Sequence, residues 1–205
     1  MKNTLSNDLS PYLQQHKENP VHWQTWKKEN LILAKKLKKP ILLSIGYASC
    51  HWCHVMAHES FEDHDTAKLM NKNFINIKVD REERPDIDFV FQSSYQLFNR
   101  TSGGWPLTMF LDENGIPFMA GTYFPKIESH GMPSFKNVLQ KVSEVYIDQR
   151  QKIINQSDLI IKNLELKKSS VLNQDLFPIL DSIIKNLDPI KGGYKGAPKF
   201  PVFNV

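Results

Sequence analysis

The sequence predicts an α/β fold, with a central mixed sheet of about four strands flanked by helices, an N-terminal extension and a helical C-terminal tail. Short apolar runs bounded by proline or glycine alternate with segments of helical periodicity, a pattern typical of strands that alternate with helices. An Asn114-Gly115 turn between two apolar runs predicts an antiparallel hairpin. The only two cysteines, Cys50 and Cys53, lie between a predicted strand and a predicted helix.

The individual elements follow from the spacing of apolar residues and from the residues that end each run. Pro40 ends the first helix, Asp63 or Asp65 caps a later one, and Pro85 begins another. The predicted elements are, in order, a helix over 21–37, a strand over 41–45, a helix over 53–60, a helical segment through Met70, a strand over 74–79, a helix from 85 to about 98, strands over 107–111 and 117–121, a long helix over 134–166 and a last helix over 176–187.

Four parts of the chain are expected from this order. Residues 1–19 form an extended lead-in, and residues 20–166 form the α/β domain. A polar stretch over 167–174 is interpreted as a linker. Residues 175–205 end in a Gly- and Pro-rich tail without a capping element, so we interpret them as the truncated start of a second domain.

Composition and charge exclude several classes of function. The net charge of +4 comes from 26 basic and 22 acidic residues that are largely mixed, and no basic stripe with interleaved aromatic residues predicts a nucleic-acid partner. No apolar run has the roughly 18 residues that a membrane helix needs, and the first 20 residues lack the apolar stretch of a secretory signal. We therefore expect a cytoplasmic protein that has no membrane partner.

The pair of cysteines is the chemical centre of the sequence. In a reducing compartment two cysteines separated by three positions are a poor structural crosslink, because so small a loop removes little entropy from the unfolded chain. At the start of a helix, free N–H groups and the helix dipole lower the pKa of a thiol. Cys50 is then the predicted nucleophile and Cys53 the resolving thiol, with His51 and His54 adding positive charge. This chemistry needs no cofactor.

Other interpretations of the same segment remain open. The two cysteines could be small buried apolar residues without a chemical role. They could bind zinc together with His54 or His58, although a zinc site usually draws on two ligand pairs separated by a loop. The pattern C-x-x-C-H is also the attachment signature of c-type haem, which requires export from the cytoplasm.

Two further segments are candidates for the rim of the site. The run Gly103-Gly104-Trp105-Pro106 is either a simple turn or a cis Trp105–Pro106 bond packed against the cysteine pair, where it would bind an extended substrate. Trp52 and Trp105 would then offer an apolar surface to a partner protein. The charged segment over 79–86 is interpreted as a solvated loop or, alternatively, as part of the groove beside the site.

The amino-acid sequences of these motifs resemble those of a known family. The C-x-x-C pair after the first core strand, the X–Pro bond before the third and the closing hairpin make residues 20–165 similar to the thioredoxin superfamily. One branch is closer still, the spermatogenesis-associated thioredoxin-like family. The shared segments are N-P-V-H-W at 19–23, C-H-W-C-H-V-M at 50–56, E-S-F at 59–61, V-D-R-E-E-R-P-D at 79–86 and G-G-W-P at 103–106.

The resemblance implies roles for single residues. It implies Cys50 as the attacking thiolate, Cys53 as the resolving thiol and Pro106 as the cis proline. Two positions depart from the usual thioredoxin pattern, because His51-Trp52 replaces Gly-Pro between the cysteines and Ser44 stands where many thioredoxins have a buried acid. The proton acceptor for Cys53 is therefore left open.

The resemblance also implies a function and a second domain. It implies a thiol–disulfide oxidoreductase that acts on a protein or small-molecule disulfide. In the family the thioredoxin-like part precedes an α/α-barrel domain, and the segment 192–201 is similar to the entry of that barrel. The alternatives are a zinc or redox sensor that is not an enzyme and a scaffold for the barrel domain.

Overall fold

The computed structural model describes residues 1–129, 131–164, 177–190 and 192–196. The chain divides into two units, Met1–Leu166 and Lys167–Val205. None of the helices in the described ranges is long and apolar enough to cross a membrane. Both cysteines and both predicted rim segments belong to the first unit.

The elements of the first unit alternate between helices and strands. A 3₁₀ turn over Leu5–Asn7 precedes the first helix, and a π-helical turn over Ala57–Phe61 extends the third. The labelled elements are α1 (Pro11–Gln14), β1 (Gln24–Thr25), α2 (Lys28–Leu37), β2 (Ile41–Gly46), α3 (His51–Met56), α4 (His64–Asn73), β3 (Ile75–Asp80), α5 (Pro85–Asn99), β4 (Leu107–Leu111), β5 (Pro117–Gly121), α6 (Phe135–Asp148) and α7 (Arg150–Leu164).

The strands form one mixed sheet in the order β1-β3-β2-β4-β5. β1, β3 and β2 are parallel, and β4 and β5 complete the sheet as an antiparallel hairpin. This is the thioredoxin-like arrangement that the sequence predicts, and the bounds of β4 and β5 agree with the prediction. The sheet has five strands rather than about four. The additional strand is β1 at the edge of the sheet, whose two residues are too few to be recognised as a strand from the sequence.

Strand β2 lies between β3 and β4 and is buried along its whole length. Ile41, Leu43 and Ile45 contribute to the apolar cluster on one face of the sheet. Leu42 contributes to the other cluster, which also contains both cysteines. A strand that is covered on both faces has a continuous apolar sequence, which is why this segment could be recognised without period-two alternation.

The predicted helix over 21–37 begins seven residues later than expected. Trp23 is buried ahead of the helix, where its indole N–H donates to the Asn19 side chain at 3.2 Å. The next two residues, Gln24 and Thr25, pair with β3 as the edge strand. The aromatic spacing that suggested a helix therefore comes from separate contacts of Trp23 and Trp26 on either side of a strand.

The lead-in over 1–19 is folded, not extended. Leu5 and Tyr12 are buried in the cluster that contains the cysteines. Ser10 caps α1 by accepting a hydrogen bond from Leu13 N, and its hydroxyl donates to Asp80 at 2.6 Å. Few apolar residues mark this segment, and the polar anchor to β3 cannot be recognised from local sequence.

The long helix predicted over 134–166 is interrupted. α6 ends at Asp148, and Gln149 leaves the helical conformation before α7 begins at Arg150. The carbonyl of Gln149 accepts hydrogen bonds from Lys152 and Ile153, so the residue closes one helix and starts the next. The apolar periodicity continues through the break because Tyr146 and Ile153 are both buried.

The second unit contains helix α8 (Phe177–Asn186), where the sequence predicts a helix over 176–187. Leu187 and Tyr194 form an isolated antiparallel bridge after it. The predicted linker over 167–174 and the end of the barrel-like segment at 197–201 lie outside the described residues.

The cap of α4 gives a test of the fold. Asp63 accepts hydrogen bonds from Thr66 N and Thr66 Oγ1 and forms ion pairs with Lys126 and Lys136. The hydrogen bonds from Thr66, followed by the contact with Lys126, hold the pKa of Asp63 well below its ordinary value. We expect Asp63→Ala to lower the free energy of unfolding by about 1–2 kcal/mol at pH 7 in urea denaturation.

The matched control is Asp65→Ala, because Asp65 is exposed and lies 3.8 Å from Lys136, a longer contact than those of Asp63. It should change stability by less than about 0.5 kcal/mol. Since the pKa of Asp63 is lowered by folding, its contribution is complete above pH ~4 and is lost as the pH falls further. Equal losses for the two variants at pH 7 would contradict the assigned cap.

Candidate functional site

The cysteine pair lies where β2 ends and α3 begins. Cys50 is the N-cap of α3, with an extended backbone conformation, and forms a disulfide with Cys53 across a Cα–Cα distance of 5.3 Å. The amide of Cys53 donates to the Cys50 sulfur at 3.3 Å. A helix N-terminus with an N–H group directed at a sulfur atom favours the thiolate once the disulfide is reduced. Both cysteines are nearly buried, with 3% of Cys50 and 1% of Cys53 exposed.

The Trp105–Pro106 peptide bond is cis, which is the alternative to a simple turn that the family resemblance implied. The Trp105 indole N–H donates to Asp88 at 2.8 Å, and the Arg81 guanidinium lies 3.9 Å from the centre of the Trp105 ring. Arg81 also forms an ion pair with Asp88 at 3.3 Å. The edge of Tyr47 packs against the same ring. Trp105 is therefore held from several sides beside the loop that leads to Cys50.

The charged segment over 79–86 thus reaches the rim of the site through Arg81. The sequence is compatible with both a solvated loop and a rim here, and neither Arg81 nor Asp88 stands out in it. The available signal was the position of Arg81 directly after a buried strand, because side chains that follow strand ends collect at one edge of an α/β sheet. Arg84, in contrast, pairs with the exposed Asp86.

A groove with a volume of about 680 Å³ runs along this rim. Trp52, of which 53% is exposed, packs against Tyr123 with ring centres 5.0 Å apart. The Tyr123 hydroxyl donates to Glu59 at 2.6 Å. Burial and this contact with Glu59 raise the pKa of Tyr123 to about 12. Together with Trp105, these side chains give the groove aromatic walls, and Trp52 stands between the two cysteines in the chain.

The histidines near the cysteines are engaged separately. His51 is exposed and contacts the edge of the Trp52 ring. His54 Nε2 donates to the carbonyl of Ala48 at 2.8 Å, since a carbonyl oxygen only accepts. His58 pairs with Glu62 at 3.0 Å. Within the part of the chain that the structure describes, no three His, Cys, Asp or Glu side chains are grouped to hold a metal ion.

A buried lysine lies beside Ser44, the position at which many thioredoxins have a buried acid. Ser44, six residues before Cys50, is paired in register with Lys78 on β3. Lys78 is 1% exposed, and its ammonium group donates to Ser44 Oγ at 3.0 Å. Its nitrogen also lies 4.7–5.0 Å from the ring centres of three aromatic residues, namely Tyr12, Trp23 and Phe61. Burial lowers the pKa of Lys78 to about 7.

A buried histidine from the N-terminal segment lies close to this lysine. Burial, followed by the charge of Lys78, lowers the pKa of His16 to about 2, so its imidazole is neutral at physiological pH. His16 Nδ1 contacts the Asn19 side chain at 3.0 Å. Neither Lys78 nor His16 was singled out from the sequence, because nothing in their local sequence indicates burial. The side of the sheet behind the disulfide therefore holds a lysine and a histidine whose own positive charges are disfavoured by burial.

Lys78 should make stability depend on pH. Between about pH 7 and pH 10 the unfolded chain keeps the proton that the folded chain releases, so the free energy of unfolding rises with pH. Lys78→Met removes this effect and relieves the cost of a buried charge at low pH. We expect the variant's stability relative to the unmodified protein to fall by at least about 1 kcal/mol between pH 6 and pH 10 in urea denaturation.

Lys68→Met is the control for this comparison, because Lys68 is exposed on α4. Its stability relative to the unmodified protein should stay constant over the same pH range. A difference for Lys78→Met that is the same at pH 6 and pH 10 would show that the buried amine keeps its ordinary pKa.

The amino-acid sequence of this chain matches a family of known proteins. The sequence model of the family Thioredox_DsbH, described as a protein of unknown function, DUF255, matches residues 2–165. An uncharacterized protein of Caenorhabditis elegans is 40% identical over 204 residues, which are 98% of this chain and 28% of that protein. Spermatogenesis-associated protein 20 of Homo sapiens is 36% identical over 208 residues, which are 97% of this chain and 26% of that protein. The chain thus spans about a quarter of the length of these curated relatives.

Solved structures with similar folds were also found. A structure described as DsbH oxidoreductase is 19% identical, with a TM-score of 0.43, and the match covers 62% of this chain and 82% of that chain. A disulphide isomerase from Xylella fastidiosa Temecula1 is 18% identical, with a TM-score of 0.43 over 57% of this chain and 88% of that chain.

Proposed function

Because this chain belongs to the Thioredox_DsbH family, we propose that its first unit is a thiol–disulfide oxidoreductase that reduces or exchanges disulfides in a partner protein. The observation that carries the proposal is the Cys50–Cys53 disulfide at the N-terminus of α3. A crosslink between residues three positions apart contributes little to stability, so chemistry is the better reason for it. The cis Trp105–Pro106 bond and the aromatic groove give it a place to receive a partner.

The reaction begins with the reduced pair. The Cys50 thiolate attacks one sulfur of a substrate disulfide, a new S–S bond joins Cys50 to the substrate, and the other substrate sulfur leaves as a thiolate that takes up a proton. Cys53, as its thiolate, then attacks the Cys50 sulfur and expels the second substrate thiol. Two electrons have passed from the pair to the substrate, and the Cys50–Cys53 disulfide has formed. A thiol reductant restores the dithiol by the reverse exchange.

Each neighbouring group has a defined part in this proposal. The Cys53 amide, which donates to the Cys50 sulfur, stabilises the attacking thiolate, and His51 and His54 add positive charge when protonated. Trp52 and Trp105 bind the apolar flank of the substrate. Pro106 lacks an N–H group, and the Trp105 backbone before it would pair with an extended peptide. Arg81 and Asp88 hold the Trp105 ring in position for that contact.

The groove favours a protein substrate over a small disulfide. Its volume of about 680 Å³ accommodates several side chains, and its aromatic lining consists of Trp52, Trp105, Tyr95 and Tyr123. Aromatic side chains of this kind bind extended polypeptides through large apolar contact areas. A small disulfide would leave most of this surface uncovered.

The domain organisation and the place of the reaction belong to the same proposal. We assign residues 20–166 to the thioredoxin-like domain, 167–174 to a linker and 175–205 to the start of an α/α-barrel domain. The relatives are three to four times longer than the matched region, which leaves room for such a domain. A cytoplasmic location would supply the thiol reductant that the cycle needs.

Replacing each cysteine separately tests the mechanism. With glutathione as the reductant and a labelled peptide disulfide as the substrate, Cys50→Ser should lower the rate of reduction by roughly a thousandfold, because the covalent nucleophile is lost. Cys53→Ser should instead accumulate a mixed disulfide between Cys50 and half of the substrate, which intact-mass spectrometry detects. Cys50→Ser should form no such adduct.

Ser49→Ala is the control, since Ser49 is exposed next to the pair and has been given no part in the reaction. It should reduce the peptide at the unmodified rate. The proposal is wrong if Cys50→Ser reduces the peptide as fast as the unmodified protein. A protein whose pair is reversibly oxidised, but which reduces no disulfide faster than glutathione alone does, would be a redox sensor.

A further inference from the structure

The N-terminal segment brings a buried hydroxyl without a partner to the disulfide. Tyr12 is fully buried, and its hydroxyl is one of four buried side-chain polar atoms with no hydrogen-bond partner among the described residues. A buried donor that makes no hydrogen bond costs free energy. Such groups are rare in folded proteins, and one that lies next to reactive atoms indicates a role in another state of the protein.

The position of this hydroxyl is defined by Gly46. A Cβ atom placed on Gly46 would overlap Tyr12 Oη and would lie only 2.7 Å from Cys53 Sγ. The two atoms therefore border the same small space, which the missing side chain of Gly46 leaves open. The resolving cysteine, not Cys50, is the one that meets the hydroxyl there.

The Tyr12 ring is fixed in this orientation. The edge of His16 packs against it with ring centres 5.1 Å apart, and the Lys78 ammonium lies 4.9 Å from its centre. Helix α1 is in turn anchored by Ser10, whose hydroxyl donates to the buried Asp80 at 2.6 Å. The hydroxyl consequently stays directed at the space above Gly46.

The chemistry of the hydroxyl makes it a hydrogen-bond donor. Burial, followed by the charge of Asp80, holds the pKa of Tyr12 well above its ordinary value, so the proton stays on the oxygen. In the disulfide the Cys53 sulfur carries no charge and is a weak acceptor. In the reduced pair the Cys53 sulfur can be a thiolate, and a hydrogen bond to a charged acceptor is about twice as strong as one between neutral groups.

We propose that Tyr12 is a positioning residue that donates a hydrogen bond to the Cys53 sulfur in the reduced protein and thereby shifts the pair toward the dithiol. Neither Ser44 nor Lys78 provides an acid behind the resolving cysteine, and the Tyr12 hydroxyl is the proton-bearing group at that place. In the oxidised state the hydroxyl has no hydrogen-bond partner, which destabilises the disulfide form. The effects in the oxidised and in the reduced state therefore both shift the equilibrium toward the dithiol. The inference rests on the redox activity of the pair but goes beyond the proposed reaction.

The equilibrium with glutathione measures this effect. Protein disulfide and two glutathione molecules give the protein dithiol and one glutathione disulfide, so two electrons and two protons are exchanged. We expect Tyr12→Phe to lower the equilibrium constant for reduction of the protein about tenfold, which corresponds to a reduction potential lower by about 30 mV. The oxidised variant should be at least as stable as the unmodified oxidised protein, because no hydrogen bond is lost.

Tyr146→Phe is a matched control on α6. Tyr146 is also buried, but its hydroxyl donates to Glu113. This variant should lower the stability of the oxidised protein and leave the equilibrium with glutathione unchanged. Tyr12→Phe should thus change the equilibrium with glutathione but not lower stability, and Tyr146→Phe should lower stability but not change the equilibrium. This difference separates an effect on the sulfur from the general loss of a buried tyrosine hydroxyl.

Three outcomes would overturn the assignment. An unchanged equilibrium constant in Tyr12→Phe, with a reversible couple in both proteins, removes the role of Tyr12 and leaves the proposed reaction intact. An equal shift in Tyr146→Phe shows that the effect is not specific to the hydroxyl beside Cys53. A protein that forms no reversible disulfide with glutathione contradicts the proposed function and this inference together.

Discussion

The close approach of backbone and sulfur at the end of β2 is the constraint on which the site depends. β2 delivers Gly46 to a position where a side chain would overlap Tyr12 and crowd Cys53, so only a residue without a Cβ lets the N-terminal segment and α3 approach each other. The same residue is paired in register with Asp80, which anchors Ser10, and its carbonyl accepts a hydrogen bond from Arg81 N at 2.9 Å. The strand end therefore joins the disulfide, the N-terminal helix and the residue that packs on Trp105.

Behind the disulfide lie two buried basic groups, Lys78 and His16, whose positive charge is disfavoured by burial. Lys78 has a hydroxyl and aromatic faces as its contacts, and ring faces attract a cation more weakly than a carboxylate does when both are desolvated. Burial therefore shifts Lys78 toward its neutral form, and His16 is neutral for the same reason. An amine that can lose its proton near pH 7, together with a tyrosine hydroxyl that keeps its own, replaces the fixed negative charge that an acid at position 44 would bring. Position 44 therefore brings no negative charge that would oppose a thiolate on Cys53, and the buried carboxylate of this region, Asp80, accepts a hydrogen bond from Ser10.

The sequence allowed the frame of the domain to be predicted, but not the contacts that surround the sulfur atoms. The bounds of β4 and β5 followed from the Asn114-Gly115 turn, and the existence of a helix at the cysteine pair followed from its place after a buried apolar run, because both signals are local. That helix begins at His51 and not at residue 53. Tyr12 and Lys78 reach the site through contacts between residues more than 30 positions apart in the chain, which no periodicity records. The break at Gln149 was also not predicted. The apolar stripe that the tertiary contacts require continues through the break, so the periodicity does not mark it.

The rim of the site distinguishes the possible uses of a reversible disulfide. A sensor that reports only its own oxidation needs a reactive pair, but it needs no surface for a second molecule. Here Trp105 is held by Arg81 and Asp88 at the edge of a groove, and Trp52 remains half exposed although it packs on Tyr123. Exposing a large indole ring and fixing a second one with a buried carboxylate both cost free energy, and contact with a partner recovers it. This arrangement therefore supports the proposed exchange with another polypeptide over a disulfide that serves only this chain.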